Sequence, residues 1–423
     1  MTRLRNYALG EWVEGAGAGT PLYHAVTGDE VARASSEGLH FAEMLSYGRT
    51  VGGPALRALT FHQRARILKA LAQYLTARKE EFYRISAWTG ATKGDTWIDV
   101  DGGIGTLFAY ASRGRREFPD ETYYVDGAPE ALSKGGTFIG RHICVPMEGV
   151  AVQINAFNFP VWGMLEKLST SFLAGVPSVV KPATVTSYLA ESVARAIVES
   201  GLLPAGTLQL ICGSAGDLLD HLAEQDSVAF TGSAATALTL RSNSAILHHN
   251  VRFNQEADSL NFSMLGPDAA PGSEEFDLFI REVTREMTVK AGQKCTAIRR
   301  TLVPEAMTDA VIAALRERLS KISIGDPSVE GVRMGPLAGT AQVKEVERNV
   351  EKLRDAAELV SGGRETLDVV GADPDRGAFY PTVLLYDDRP FERTEPHDVE
   401  AFGPVNTVMP YRTVDDAIAL ARL

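Results

Sequence analysis

Through the middle of the chain, short apolar runs alternate with amphipathic stretches. Val150–Ile154, Ser178–Lys181, Thr207–Cys212 and Val228–Phe230 read as buried strands. Between and after them, 163–174 is a helix closed by Gly175 and Pro177, and 187–200 is a helix closed by Gly201. Asp217–Glu224 and 234–242 carry helical spacing as well. Short strands separated by helices imply βαβ units and a parallel sheet covered on both faces. The fold class expected is therefore α/β, a doubly wound nucleotide-binding architecture, although the pattern does not identify the ligand. Residues 55–90 read as helix, with Leu56, Leu59, Ile67, Leu68, Leu71 and Leu75 near a 3.6 period. Residues 119–145, richer in Gly, Thr and Tyr, read as an extended hairpin, and a second α/β region begins after 255 with helices near 276–290, 305–320 and 339–357. Thr413–Asp416 reads as an N-cap with an acid at its third helical position. The helix it opens reaches Leu423 with no Gly, Asn or tail, which reads as a chain cut inside a larger protein. No internal repeat or low-complexity linker separates the regions.

Composition narrows the function classes. The 423 residues hold 42 Lys and Arg against 54 Asp and Glu, a formal net charge of -12, without a basic cluster that would track phosphates; nucleic acid is not expected as a partner. No uncharged apolar run reaches the roughly 20 residues of a membrane helix, and the N-terminus lacks the apolar core of a signal peptide. Three cysteines without paired spacing fit a reducing cytoplasm, and eight histidines without HExxH argue against a metal site.

The candidate chemistry sits at the strand-to-helix junctions. Cys295 follows a helical face of Phe276, Phe279, Ile280, Val283 and Met287 that Gly292 is expected to break, which leaves the thiol on a loop. A loop Cys near Lys294, Arg299 and Arg300 is either a nucleophile or, on general grounds, a buried small residue. Cys144 and Cys212 keep the second reading. Asn158, in Ile154–Pro160, offers an amide donor at the carboxyl end of a strand, where it serves an oxyanion or only a turn. Gly213 with Gly216, and Gly232 with Ser233, lie at strand-to-helix turns where free N–H groups attract phosphate. Glu256 precedes an apolar strand, as a general base or a solvated edge.

Taken in order, these segments resemble the aldehyde dehydrogenase superfamily. Its usual N-P-W-N-F-P, V-K-P-A-E, F-T-G-S, L-E-L-G-G-K, G-Q-x-C and E-I-F-G-P-V are matched by Asn155–Pro160, Val180–Thr184, Phe230–Ser233, Asn254–Asp258, Gly292–Cys295 and Glu400–Val405. Gly325–Pro327, Met334–Pro336 and Tyr380–Thr382 match weaker positions. Ala55–Thr60, Thr89–Thr92, Gly102–Leu107, Ile211–His221 and Lys290–Arg300 look most like the dehydrogenase part of PaaZ-type bifunctional proteins of phenylacetate degradation. The dehydroadipyl-CoA semialdehyde dehydrogenases of benzoate catabolism are cousins. Both groups act on semialdehydes carried as CoA thioesters.

The resemblance implies an aldehyde dehydrogenase fold: an NADP-binding domain over 1–118 and 146–254, an oligomerisation hairpin over 119–145, and a catalytic domain over 255–423 that lacks the family's C-terminal section. It implies that Cys295 attacks the aldehyde, Asn158 holds the oxyanion and Glu256 activates the water that releases the acid. Lys181 and Thr184 would meet the adenosine ribose, Gly213, Gly232 and Ser233 the pyrophosphate side, and Glu400 the nicotinamide ribose, with Phe402 also among the cofactor-binding residues. Two departures stand out. Thr184 replaces the family's Glu, whose charge would repel a 2′-phosphate, and this points to NADP over NAD. Ala257–Leu260 replaces the family's Leu-Gly-Gly-Lys. The implied protein is a cytoplasmic homo-oligomer built from dimers, acting on an oxo-dehydrosuberyl chain or, alternatively, a dehydroadipyl one. An acylating enzyme and a catalytically silent nucleotide-binding or assembly domain are the rival readings, the former opposed by Glu256.

Overall fold

A computed structural model describes residues 2–423, apart from the side chain of residue 366. The chain divides into two compact units. Unit 1 holds residues up to Leu22, Val31–Ile85 and Trp97–Ala257, and unit 2 holds Tyr23–Glu30, Ser86–Thr96 and Asp258–Leu423.

Unit 1 is built on a seven-stranded sheet. Its order is Arg252–Ala257, Ser227–Gly232, Ala151–Ile154, Ser178–Lys181, Leu208–Leu210, Arg5–Ala8 and Glu11–Glu14. The first five strands are parallel, and the last two add an antiparallel edge that the apolar pattern did not foretell. The parallel strands Ala151–Ile154 and Leu208–Leu210 are buried along their whole length, which is why they read as continuous apolar runs. Val150, Val152, Val179, Ile211, Val228 and Phe230 join Met44, Leu45 and Leu218 in one core. The helix Pro160–Ala174 starts with its Pro in the first turn and stops at Gly175, whose φ of 83° lets the last carbonyls be capped. The helix Ser187–Glu199 covers the sheet with a face that includes Leu189, Val193 and Ile197.

Asp217–Glu224 does not form the expected helix; only Leu218–His221 turns, as a 3-10 segment. The reason lies in Asp226, a fully buried carboxylate that accepts from the Ala223 N–H at 2.7 Å and the Val150 N–H at 2.8 Å and pairs with Arg49. An N–H captured this way is withdrawn from the helical ladder. The strand Tyr124–Ala131 pairs antiparallel with Ile139–Cys144, and this hairpin exposes Leu132, Phe138, Ile139, Ile143 and Val145.

Unit 2 carries a five-stranded sheet in the order Phe262–Met264, Arg300–Pro304, Val405–Tyr411, Val383–Tyr386 and Glu358–Ser361, parallel except for the last pair. The helices Glu274–Thr288 and Thr308–Leu319 pack Phe276, Ile280, Val283, Val311 and Leu315 on it. Thr340–Arg354 contributes Val343, Val346 and Val350 to a neighbouring cluster. The capping box at Thr413 forms, with Asp416 and Thr413 each satisfying the other's N–H. Gly292 is not where the α-helix ends. It stops at Thr288, because Lys290 and Ala291 already stand at φ 57° and 51°. Among the described residues, no helix is long and apolar enough to cross a membrane, and no group of three or more His, Cys, Asp or Glu is placed to hold a metal.

Candidate active site

Seven of the residues singled out in the sequence lie along one edge of the unit 1 sheet, the carboxyl ends of its parallel strands. The chain steps outward from Ala151–Ile154 to Ser178–Lys181 and Leu208–Leu210, then returns to Ser227–Gly232 on the other side of the first strand. That reversal is the point at which open α/β sheets leave a crevice for ligands. Asn158 follows one of the two strands flanking it, and Ser233 follows the other.

Asn158 is buried and sits two residues before the helix Pro160–Ala174. No side chain on the N-cap residue Phe159 caps that helix. The cap comes instead from Asp99, wholly buried, whose Oδ1 accepts from Val161 N at 3.1 Å and Trp162 N at 2.8 Å. Nothing in the sequence around Asp99 signalled this. Lys181 ends its strand, and burial pushes its ammonium below the ordinary lysine range. Thr184 opens the next turn, and its hydroxyl donates to the Gly213 carbonyl at 3.4 Å. Gly213 has φ 154°, and a Cβ there would fall 2.6 Å from the Ser36 nitrogen, so close packing already requires glycine. Gly232 ends the strand Ser227–Gly232, while Ser233 caps Ala234–Arg241 by accepting from Thr236 N at 3.3 Å. Glu256 lies on the adjacent strand, opposite Thr231 in register, with its side chain exposed. Lys167, which the sequence reading passed over, is largely buried and interacts electrostatically with both Glu166 and Glu256.

Cys295, Glu400 and Phe402 belong to unit 2. Cys295 is exposed on the loop after the helix Glu274–Thr288. Cys212, by contrast, is fully buried, and desolvation holds its thiol well above the usual range. Of the three cations near Cys295 in sequence, Lys294 pairs with Glu286 at 2.6 Å, and Arg300 bonds the Leu260 carbonyl, the Leu420 carbonyl and His397. Arg299 is the one that serves the loop. It lies over the Phe402 ring at 5.3 Å, reaches Glu400 at 3.3 Å, and interacts electrostatically with Cys295. Burial pushes its guanidinium down, and Glu400, Glu286 and Cys295 oppose that shift. Burial likewise raises the Glu400 carboxyl, against Arg299 and the Ser259 N–H.

The segment that departs from the family's Leu-Gly-Gly-Lys holds this loop. Asp258 keeps a left-handed φ of 45°, a conformation that glycine adopts freely and Asp tolerates. Ser259 donates its N–H to Glu400 Oε2 at 3.2 Å and its hydroxyl to the Cys295 carbonyl. Asn261 Nδ2 donates to that same carbonyl at 2.7 Å.

Whether unit 1 suits a dinucleotide can be judged on Asn155. Its N–H bonds the Lys181 carbonyl at 3.0 Å, yet its side-chain amide is buried and neither amide atom has a hydrogen-bond partner. An orphaned amide next to a strand-terminal lysine fits a polar ligand with ribose-like hydroxyls.

A model of the aldehyde dehydrogenase family matches residues 12–422. The 3,4-dehydroadipyl-CoA semialdehyde dehydrogenase of Aromatoleum evansii is 47% identical over 421 residues, 99% of this chain and 82% of that protein. A 1-pyrroline-5-carboxylate dehydrogenase of Geobacillus kaustophilus is 27% identical across 85% of this chain and 66% of its own length. Among solved structures, betaine aldehyde dehydrogenase of Staphylococcus aureus in complex with NAD+ superposes with a TM-score of 0.86 at 23% identity, over 99% of this chain and 80% of that one.

Proposed function

This chain belongs to the aldehyde dehydrogenase family, and on that premise we propose that it oxidises a semialdehyde carried as a CoA thioester to the corresponding acid. The observation that carries the reading is the exposed Cys295 on a loop braced by Arg299, in a chain that is 47% identical over nearly its whole length to a CoA-semialdehyde dehydrogenase. Of the two acyl chains that the sequence raises, that relative favours the dehydroadipyl one over the longer oxo-dehydrosuberyl one.

The residues take the following roles. The Cys295 thiolate attacks the aldehyde carbon, and the carbonyl π electrons move to oxygen. The Asn158 amide and the Cys295 N–H donate to that oxyanion, for which such donors are worth about 2.7–4 kcal/mol each. A nicotinamide, when bound, supplies the acceptor for the hydride that leaves the carbon. Cys295 then carries a thioester. Glu256 takes a proton from the water that attacks it, the C–S bond breaks, and acid and thiolate separate.

Lys181, Thr184, Gly213, Gly232, Ser233 and the orphaned Asn155 amide would hold the dinucleotide, with Glu400 and Phe402 serving its nicotinamide ribose. Thr184 in place of an acid supports NADP. Its hydroxyl would give up a long bond to Gly213 in order to donate to a 2′-phosphate. The apolar residues that the hairpin exposes support an oligomer. The composition and the odd cysteine count favour a cytoplasmic setting.

Turnover of dehydroadipyl-CoA semialdehyde, the longer analogue and the same semialdehyde without CoA, each with NADP and NAD, tests the reading. CoA-linked turnover with preference for NADP is expected. Equal turnover without CoA would remove the substrate class, and preference for NAD would remove the role of Thr184.

A further inference from the structure

The loop that carries Cys295 has its carbonyls pinned by side chains. Lys290 O accepts from Gln293 Nε2 at 3.1 Å, and Gly292 O accepts from Arg299 Nη2 at 2.8 Å. The peptide joining Lys294 to Cys295 presents its carbonyl to the same Arg299 nitrogen at 3.4 Å, while Nη1 holds Gly403 O at 2.6 Å. The next peptide, from Cys295 to Thr296, presents its carbonyl to the Ser259 hydroxyl and to Asn261 Nδ2. A trans peptide is planar, with C=O and N–H pointing in opposite directions. Pinning the Lys294 carbonyl therefore aims the Cys295 N–H, and pinning both flanking planes fixes the Cα–Cβ bond that carries the thiol.

The same two residues also hold Glu400. Ser259 N donates to Oε2 at 3.2 Å and Arg299 Nε to Oε1 at 3.3 Å. Arg299 is 4% exposed and makes its bonds as a fork, which an ammonium cannot reproduce. Ser259 stands where the family resemblance leads one to expect a glycine, which has no hydroxyl to offer.

We infer that Ser259 and Arg299 are positioning residues that set the orientation of the Cys295 thiol and backbone N–H together with that of the Glu400 carboxylate. The inference deepens the proposed function and rests on Cys295 being the nucleophile. It assigns the departure at 257–260 a purpose: the hydroxyl gained at Ser259 replaces freedom of the nucleophile's peptide with a fixed direction. Only the hydroxyl reaches Cys295, whereas the Ser259 N–H reaches Glu400, so one substitution separates the two arms.

The test uses the full chain with Ser259→Ala and Ser259→Thr. Two quantities are read: kcat and KM for the CoA-linked semialdehyde and dinucleotide, and the rate at which iodoacetamide alkylates Cys295 across pH, followed by peptide mass. Misplacing a reacting group by a fraction of an ångström to about one ångström costs on the order of 10–100-fold. Ser259→Ala is expected to lower kcat by about tenfold or more, slow alkylation of Cys295 by a similar factor, and leave KM for the dinucleotide near its original value, because the N–H to Glu400 remains. Ser259→Thr restores most of both rates. A Ser259→Ala protein that melts earlier but retains kcat and the alkylation profile would overturn the inference, since that is what a structural role alone predicts. Should Ser259→Ala fail to fold, Ser259→Gly removes the same hydroxyl and Arg299→Lys removes the fork, and each is read by the same two rates. Alkylation needs no substrate. A wild-type chain that alkylates at Cys295 yet does not turn over the semialdehyde therefore counts against the functional reading alone, and the clamp is still decided by the variant rates.

Discussion

Lys181 shows how one buried charge ties cofactor affinity to pH. Burial is the largest influence on it, and it moves the ammonium's pKa below 10.5. A lysine whose folded pKa is lowered is penalised for its charge at neutral pH. Its contribution to stability is complete above the unfolded value and is lost as pH falls through the folded one. For ligand binding the sign runs the other way, since the charged form is the better donor to ribose oxygens. KM for the dinucleotide is therefore expected to rise on the alkaline side, starting below the range in which an exposed lysine titrates. Lys181→Arg, charged throughout, removes that rise. A flat profile in the parent chain would take Lys181 away from the cofactor. At this scale the sequence was informative about identities and silent about partners. Cys295, Glu256 and Asn158 stand out because a resemblance names them. The duty of Arg299 depends on where the carbonyls of Gly292, Lys294 and Gly403 point, which no spacing encodes.

Among the elements, the helix Pro160–Ala174 matters most to unit 1, because Asn158 sits on the turn that leads into it. Its first-turn N–H groups are satisfied by Asp99 from a different helix, Lys93–Arg116. Removing a buried acceptor from two donors costs about 1–3 kcal/mol, and the helix N-terminus favours the negative charge besides. Asp99→Ala is expected to lower unfolding free energy by about that amount in urea titrations and to reduce kcat, because the Asn158 turn loses its support. Asp99→Asn, which keeps one acceptor, should fall between. Loss of stability with kcat intact would show that the Asn158 turn is held by other means. Helices and strands were legible here wherever both faces of the sheet are covered, since continuous apolar runs follow from that burial. The reading failed at Asp217–Glu224, where the carboxylate of Asp226, three residues on, captures the Ala223 N–H, and at Lys290–Ala291, where two non-glycine residues take left-handed conformations.

For the molecule as a whole, the sequence conveyed the parallel sheet of unit 1 and the second α/β region, but not the antiparallel edge from Arg5–Ala8 and Glu11–Glu14. Those four-residue strands, Arg-Asn-Tyr-Ala and Glu-Trp-Val-Glu, show neither a continuous apolar run nor an alternation, a pattern too short to separate from a loop. The central claim, that an aldehyde carbon is oxidised while bonded to Cys295, concerns the entire reaction and has a direct test. The Glu256→Gln chain, unable to activate water, should be mixed with the CoA-linked semialdehyde and dinucleotide, quenched in acid and read by peptide mass. The account predicts one equivalent of reduced nicotinamide per chain and an acyl adduct on the peptide containing Cys295, absent when Cys295 is replaced by Ala. Reduced nicotinamide without any adduct at Cys295, or an adduct on Cys144 in its place, would contradict it.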